Sequence, residues 1–174
     1  SRGLGDVYKR QGCTFVQCFL FGVFFHFHDA LPKGEQYVKT EIPGSISTKN
    51  MYTTVDKKEE LEALGGYLTQ NHLTEKKVLL YGEIPAISYI FDMEPAVYTT
   101  WADLRSNTLE RLQADLDAIT TDYPVVIVTD AIGQELSGNT SYVDEKLDAI
   151  AQFLSRGNYQ CGYAQKGYYV YTSQ

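Results

Sequence analysis

Three carboxylates stand where an α/β protein gathers its ligands. Glu83 follows the apolar run VLLYG, Asp103 closes the segment AVYTTWAD, and Asp130 ends the run VVIVTD. If these runs are parallel strands, their carboxyl ends open on one crevice, near the switch in strand order. Three carboxylates converging there suit a divalent cation or acid–base work. The same side chains serve equally well as helix caps or as acceptors for loop amides. Tyr81, Tyr89, Tyr98 and Trp101 lie in the same segments and offer flat faces that stack on sugar rings; core packing is the competing use of such aromatics. The candidate ligand-binding set is therefore Glu83, Tyr89, Trp101, Asp103 and Asp130.

Elsewhere the chemistry is thin. His26 and His28 share a face if the chain is extended there, but only Asp29 is at hand as a third ligand, so no metal is assigned. Cys13, Cys18 and Cys161 form neither a metal pattern nor a disulfide framework and read as small apolar residues. His72 ends an amphipathic helix with no evident partner and is expected to be exposed. VLLYGEIP lacks the glycine pattern of a dinucleotide site, and no phosphate-loop lysine, GxSxG or HExxH is present. Asn139-Thr140-Ser141 is a three-residue glycosylation match inside a polar loop expected over 137–140. No catalytic residue and no cofactor is assigned.

The elements that must position the candidates follow from periodicity. Asp56 with Glu59 signals a helix start, and Leu61, Leu64 and Leu68 continue it over 57–72. VLLYG reads as a buried parallel strand, followed by a short helix from Pro85 to Phe91. Ala96 to Thr99 reads as a second short strand. Ser106 or Asn107 can cap a helix bearing Leu109, Leu112, Leu116 and Ile119 on one stripe. VVIVTD is the strongest strand signal. Ser141 and Asp144 suggest a capping box before Val143, Leu147, Ile150, Ala151 and Leu154, with Gly157 as the stop. The tail YQCGYAQKGYYVYTS reads as a hairpin turning near Gln165-Lys166-Gly167. The expected fold is α/β, a three-layer sandwich of flavodoxin/Rossmann-like type. Its sheet is expected to be short and mainly parallel, with an antiparallel C-terminal hairpin at the edge.

Composition fixes the class. The 174 residues carry 44% hydrophobic and 21% charged side chains, ordinary values for one globular domain. The formal net charge is −7, and removing residues 1–11 takes away Arg2, Lys9 and Arg10 against only Asp6. So acidic a surface repels phosphate backbones, and nucleic acid is excluded as a partner. Residues 1–11 resemble translated sequencing-adapter read-through and are set aside. Thr14 to Phe27 is nearly all apolar but shorter than the roughly 20 residues of a full span. Residues 12–29 are accordingly expected to be the end of a truncated transmembrane helix, with Phe24 to His28 at the interface. Residues 30–54 form an extended connector, and 55–174 the folded domain.

A resemblance runs through these pieces: His28-Asp29, MYTTVDKKEELEALGGYL, VLLYGEIPAISYIFDMEPAV, TWADL and PVVIV. Together they resemble the C-terminal extracytoplasmic region of bacterial multi-spanning membrane proteins of the glycosyltransferase 39 and RgtA/B/C/D-like group. Tyr52-Thr53-Thr54, Leu61-Glu62, Gly82, Pro85, Ile87 and Tyr89 carry the match, which covers roughly residues 14–174. The resemblance implies a parent protein in the bacterial cytoplasmic membrane that transfers sugar from a polyprenyl-phosphate donor on the outer side. The family's catalytic aspartate belongs to a first outer loop with no counterpart here, so no catalytic residue is carried over. The implied partners are the lipid bilayer, through the N-terminal segment, and a polyprenyl-phosphate sugar or acceptor glycan. Residues 55–174 would then cover the membrane-embedded site or touch the acceptor without doing chemistry. The alternative is a free-standing flavodoxin-like domain that binds a small anionic ligand or metal at its strand ends.

Overall fold

The computed structural model describes Cys13, Phe15, Val16, residues 38–40, Thr48, residues 51–138, Tyr142 and residues 144–174. The chain divides into two units, Ser1–Tyr37 and Val38–Gln174. Apart from Cys13, Phe15 and Val16, the membrane-helix end expected over 12–29 lies outside the described residues, as do His26 and His28. Among the described residues no helix is long and apolar enough to cross a membrane.

The second unit is mixed α/β. Strands β1 (Val38–Thr40) and β2 (Met51–Thr53) pair antiparallel, so the expected connector contains a small ribbon. Helix α1 (Val55–Gln70) follows, capped by Thr54, whose hydroxyl accepts the Lys57 N–H. Asp56, expected as the cap, sits instead in the first turn, where a carboxylate favours the helix dipole. Then come β3 (Val78–Tyr81), the short α2 (Ala86–Ile90), α3 (Leu109–Ala118), β4 (Val125–Thr129), α4 (Asp130–Gly138), α5 (Glu145–Arg156) and the hairpin β5 (Tyr159–Gln165) and β6 (Tyr168–Ser173).

The main sheet has four strands in the order β3-β4-β6-β5. Only β3 and β4 run parallel; β4–β6 and β6–β5 are antiparallel. The expectation of a mainly parallel sheet is therefore wrong, because the C-terminal hairpin supplies half the strands and inserts β6 beside β4. Its edge position is as expected, with β5 outermost. Lys166 and Gly167 both take positive φ, 49° and 79°, the conformation a two-residue hairpin turn requires.

Ala96 to Thr99 does not form the expected strand. Val78 bridges Pro95 alone, with the Val78 N–H donating to Glu94 and the Ala96 N–H to Val78. Proline has no N–H with which to extend such a ladder, and beyond Ala96 the chain turns Val97 into the core.

Alternation along the strands divides the core between the two faces of the sheet. Val78, Leu80, Val125, Ile127, Tyr168 and Val170 face α1, with its Leu61, Leu64 and Leu68. Leu79, Tyr81, Val126, Val128 and Tyr171 face α3 and α5, with Leu112, Leu116, Leu147 and Ile150. Each such fully buried aliphatic side chain contributes about 1.5–3 kcal/mol of transfer free energy. In β5 the register skips Gly162, a bulge that turns Tyr163 onto the α1 side, where its ring meets Tyr67 at 4.9 Å.

Caps differ in detail from expectation. Thr108 caps α3 by accepting the Arg111 N–H, while Asn107 is buried and donates its side-chain amide to the Ala102 carbonyl. Asp144 caps α5, and Gly157 closes it. Ser137 and Gly138, expected in a polar loop, end α4; Asn139, Thr140, Ser141 and Val143 lie outside the described residues.

Candidate functional site

The parallel pair β3–β4 places Tyr81 beside Val128, so both strands end at the same level. Beyond Tyr81 the chain bends at once, and the bend requires glycine at 82, because a side chain there would stand 2.5 Å from the Thr129 hydroxyl oxygen. Gly82 takes φ 106° and Glu83 follows at 60°. The Glu83 N–H donates to Asp103 Oδ2 at 2.7 Å, which ties the turn after β3 to the loop carrying Trp101.

That loop is built from short local bonds. The Trp101 N–H donates to the Thr99 hydroxyl, the Leu104 N–H to the Trp101 carbonyl and the Asn107 N–H to the Leu104 carbonyl. Ala102 points into the core, leaving Trp101 37% exposed at the end of the sheet. Just before it, Tyr98 is 74% exposed, and its backbone N–H donates to Asp115 on α3. The Arg111 guanidinium lies over the Tyr98 ring, 4.6 Å from its centroid.

Tyr81 plays a different part from the stacking role considered for it. It is 2% exposed, and its hydroxyl donates to Asp144 Oδ2 at 2.6 Å. The other oxygen of Asp144 accepts the Lys146 N–H, so one carboxylate joins the end of β3 to the start of α5. Burial first, then the Asp144 carboxylate, raises the Tyr81 phenol far above its ordinary range, with Asp103 and Glu135 adding to the effect. It is a neutral donor under any physiological condition and offers no face to a ligand.

Of the other candidates, Glu83 and Asp103 are brought together, whereas Asp130 is occupied separately. The Asp130 N–H donates to the Gly167 carbonyl in the β5–β6 turn, and its carboxylate accepts from Gln134. Among the described residues no three His, Cys, Asp or Glu side chains are grouped so as to hold a metal ion. Tyr89 is 68% exposed on α2, whose Ile87 and Ile90 belong to the α1-side core. Val97 and Ala102, which flank Tyr98 and Trp101, belong to the opposite core. The site is thus the Trp101 loop with Tyr98, Glu83 and Asp103, apart from Tyr89 and Asp130.

Arg111, Asp115, Asp144 and Lys146 were not foreseen. Asp144 was visible as a cap, but not as the partner of Tyr81, 63 residues away. A separate cavity of about 450 Å³ lies between α3 and α5. Its one cation, Arg156, is already engaged by Asp117 and by the Leu116 carbonyl. No family model, curated protein or solved structure matches this chain.

Proposed function

We propose that residues 55–174 form a non-catalytic, glycan-contacting extracytoplasmic domain of a polytopic bacterial membrane protein. That protein is glycosyltransferase-like and draws on a polyprenyl-phosphate sugar donor; the N-terminal segment anchors the domain to the bilayer. In this reading the helices on the two sheet faces make a three-layer, flavodoxin/Rossmann-like sandwich, with the acceptor sugar at the end of β3. The observation that carries the reading is the bond from the Glu83 N–H to Asp103, which fixes an exposed indole at that end of the sheet. Trp101 and Tyr98 supply faces for the apolar side of a sugar ring, and the second oxygen of Asp103 and the Glu83 carboxylate accept from its hydroxyls.

Trp101 is the only tryptophan, so its emission reports on this site alone. Titration of the chain with a panel of oligosaccharides is expected to change that emission saturably. Trp101→Ala should weaken binding, followed calorimetrically, by about tenfold, and Trp101→Phe should restore part of it. An unchanged emission and no heat across the panel would sink the reading.

A further inference from the structure

We infer that the surface around Tyr98 and the Trp101 loop selects an anionic sugar, one bearing a carboxylate or phosphate group; this rests on the glycan-contacting reading above. The chain is acidic, yet its cations are unevenly employed. Among the described residues Lys57, Lys58, Lys77, Arg156 and Lys166 each meet a carboxylate. Arg105, Arg111, Lys146 and Lys76 do not, and the first three belong to this surface. Arg105 stands on the Trp101 loop, and Lys146 donates its ammonium to the carbonyl of Leu104, the residue before it. The Arg111 guanidinium lies over the Tyr98 ring.

The neighbouring carboxylates already carry donors. Asp115 accepts the Tyr98 N–H, Asp103 accepts the Glu83 N–H, and Asp144 accepts from both Tyr81 and Lys146. Apart from Glu83, whose carboxylate is exposed, these negative groups fix the loops, while the guanidinium edges remain free. A guanidinium stacked on an aromatic ring keeps its in-plane N–H fork available, and that fork matches a carboxylate or phosphate in bidentate fashion. A sugar ring over Trp101 or Tyr98 would carry its acidic substituent toward Arg111.

The test is titration of the full chain with a galacturonate hexamer and, in parallel, with a neutral maltohexaose, at low and at raised salt. The acidic hexamer is expected to bind about tenfold more tightly, an advantage that shrinks as salt screens it. Arg111→Gln should remove most of that advantage and Arg111→Lys only part, whereas Lys76→Gln, a free cation elsewhere, should leave it intact; thermal unfolding checks that each variant folds. Equal binding of the two sugars overturns this inference and leaves the glycan reading standing. Binding of neither sugar overturns both. Binding to phosphatidylglycerol vesicles in place of the oligosaccharide also overturns it, since the surface would then be a lipid-docking one.

Discussion

Glu83 holds a backbone conformation that a glutamate adopts at a cost. Its φ of 60° lies in the left-handed region, where a side chain crowds the carbonyl and costs about 1–2 kcal/mol. What holds it there is the tight turn that Gly82 permits beside Thr129 and the N–H bond to Asp103. Neither depends on the glutamate side chain, which is exposed. Glu83→Gly should therefore raise stability by about 0.5 kcal/mol, the relief of strain partly offset by the freer unfolded chain. Denaturant unfolding checks this, and a loss beyond 1 kcal/mol would mean that the carboxylate makes a structural contact. Glu83 and Asp103 were legible as strand-end residues, because an apolar run followed by glycine and a carboxylate marks the spot. Arg111 was not, since its place over Tyr98 depends on the path of the whole intervening loop. For Tyr81 core packing was the correct use of the two considered, but a strand buried on both faces gives no clue to which way an aromatic at its end will turn.

At the scale of elements, the runs VLLY and VVIVT declared themselves as strands, and their parallel pairing followed from the helices between them. The sheet's overall sense did not follow. Nothing in the tail states which existing strand it joins, and β6 settles beside β4 through backbone bonds that any sequence can make. Helix α4 went unseen for a related reason. It starts directly from β4 and carries Gly133, a poor helix former, at its centre. Packing explains the glycine, because a methyl group there would land on the Tyr169 ring. Two effects oppose each other in Gly133→Ala. Helix propensity favours alanine by about 1 kcal/mol, while displacing a ring stacked on Tyr171 costs about 1–3 kcal/mol. The contact falls at the root of the ring rather than at a flexible end, so the second effect should win. Equilibrium unfolding is expected to show a net loss of about 1–2 kcal/mol, and a gain would mean that α4 lies further from β6.

The whole molecule is rich in tyrosine, with 14 in the chain, and several of them hold the two core faces together. Tyr81, Tyr163, Tyr168 and Tyr171 are buried, and burial is the first cause that raises each phenol above its ordinary value. A raised folded pKa means that the neutral form is favoured in the native state. Its stabilising contribution is complete below the unfolded value of about 10 and declines as pH climbs from there toward the folded value. Between those limits each such tyrosine weakens the fold as pH rises, and the four act in the same direction. The fold should therefore be sensitive to alkali above about pH 10. Lys57 adds to the trend. Burial lowers its pKa, but the hydrogen bond to Glu60 and the charges of Tyr168 and Glu60 outweigh that, so its contribution too is present below 10.5 and lost above. Alkaline titration should therefore show one cooperative loss of far-ultraviolet dichroism, with a step in tyrosinate absorbance from the buried phenols coincident with it. If the buried phenols ionised gradually from pH 10 while the dichroism held, their side chains would be reaching solvent in the folded state, and the division of the core between the two sheet faces would be wrong.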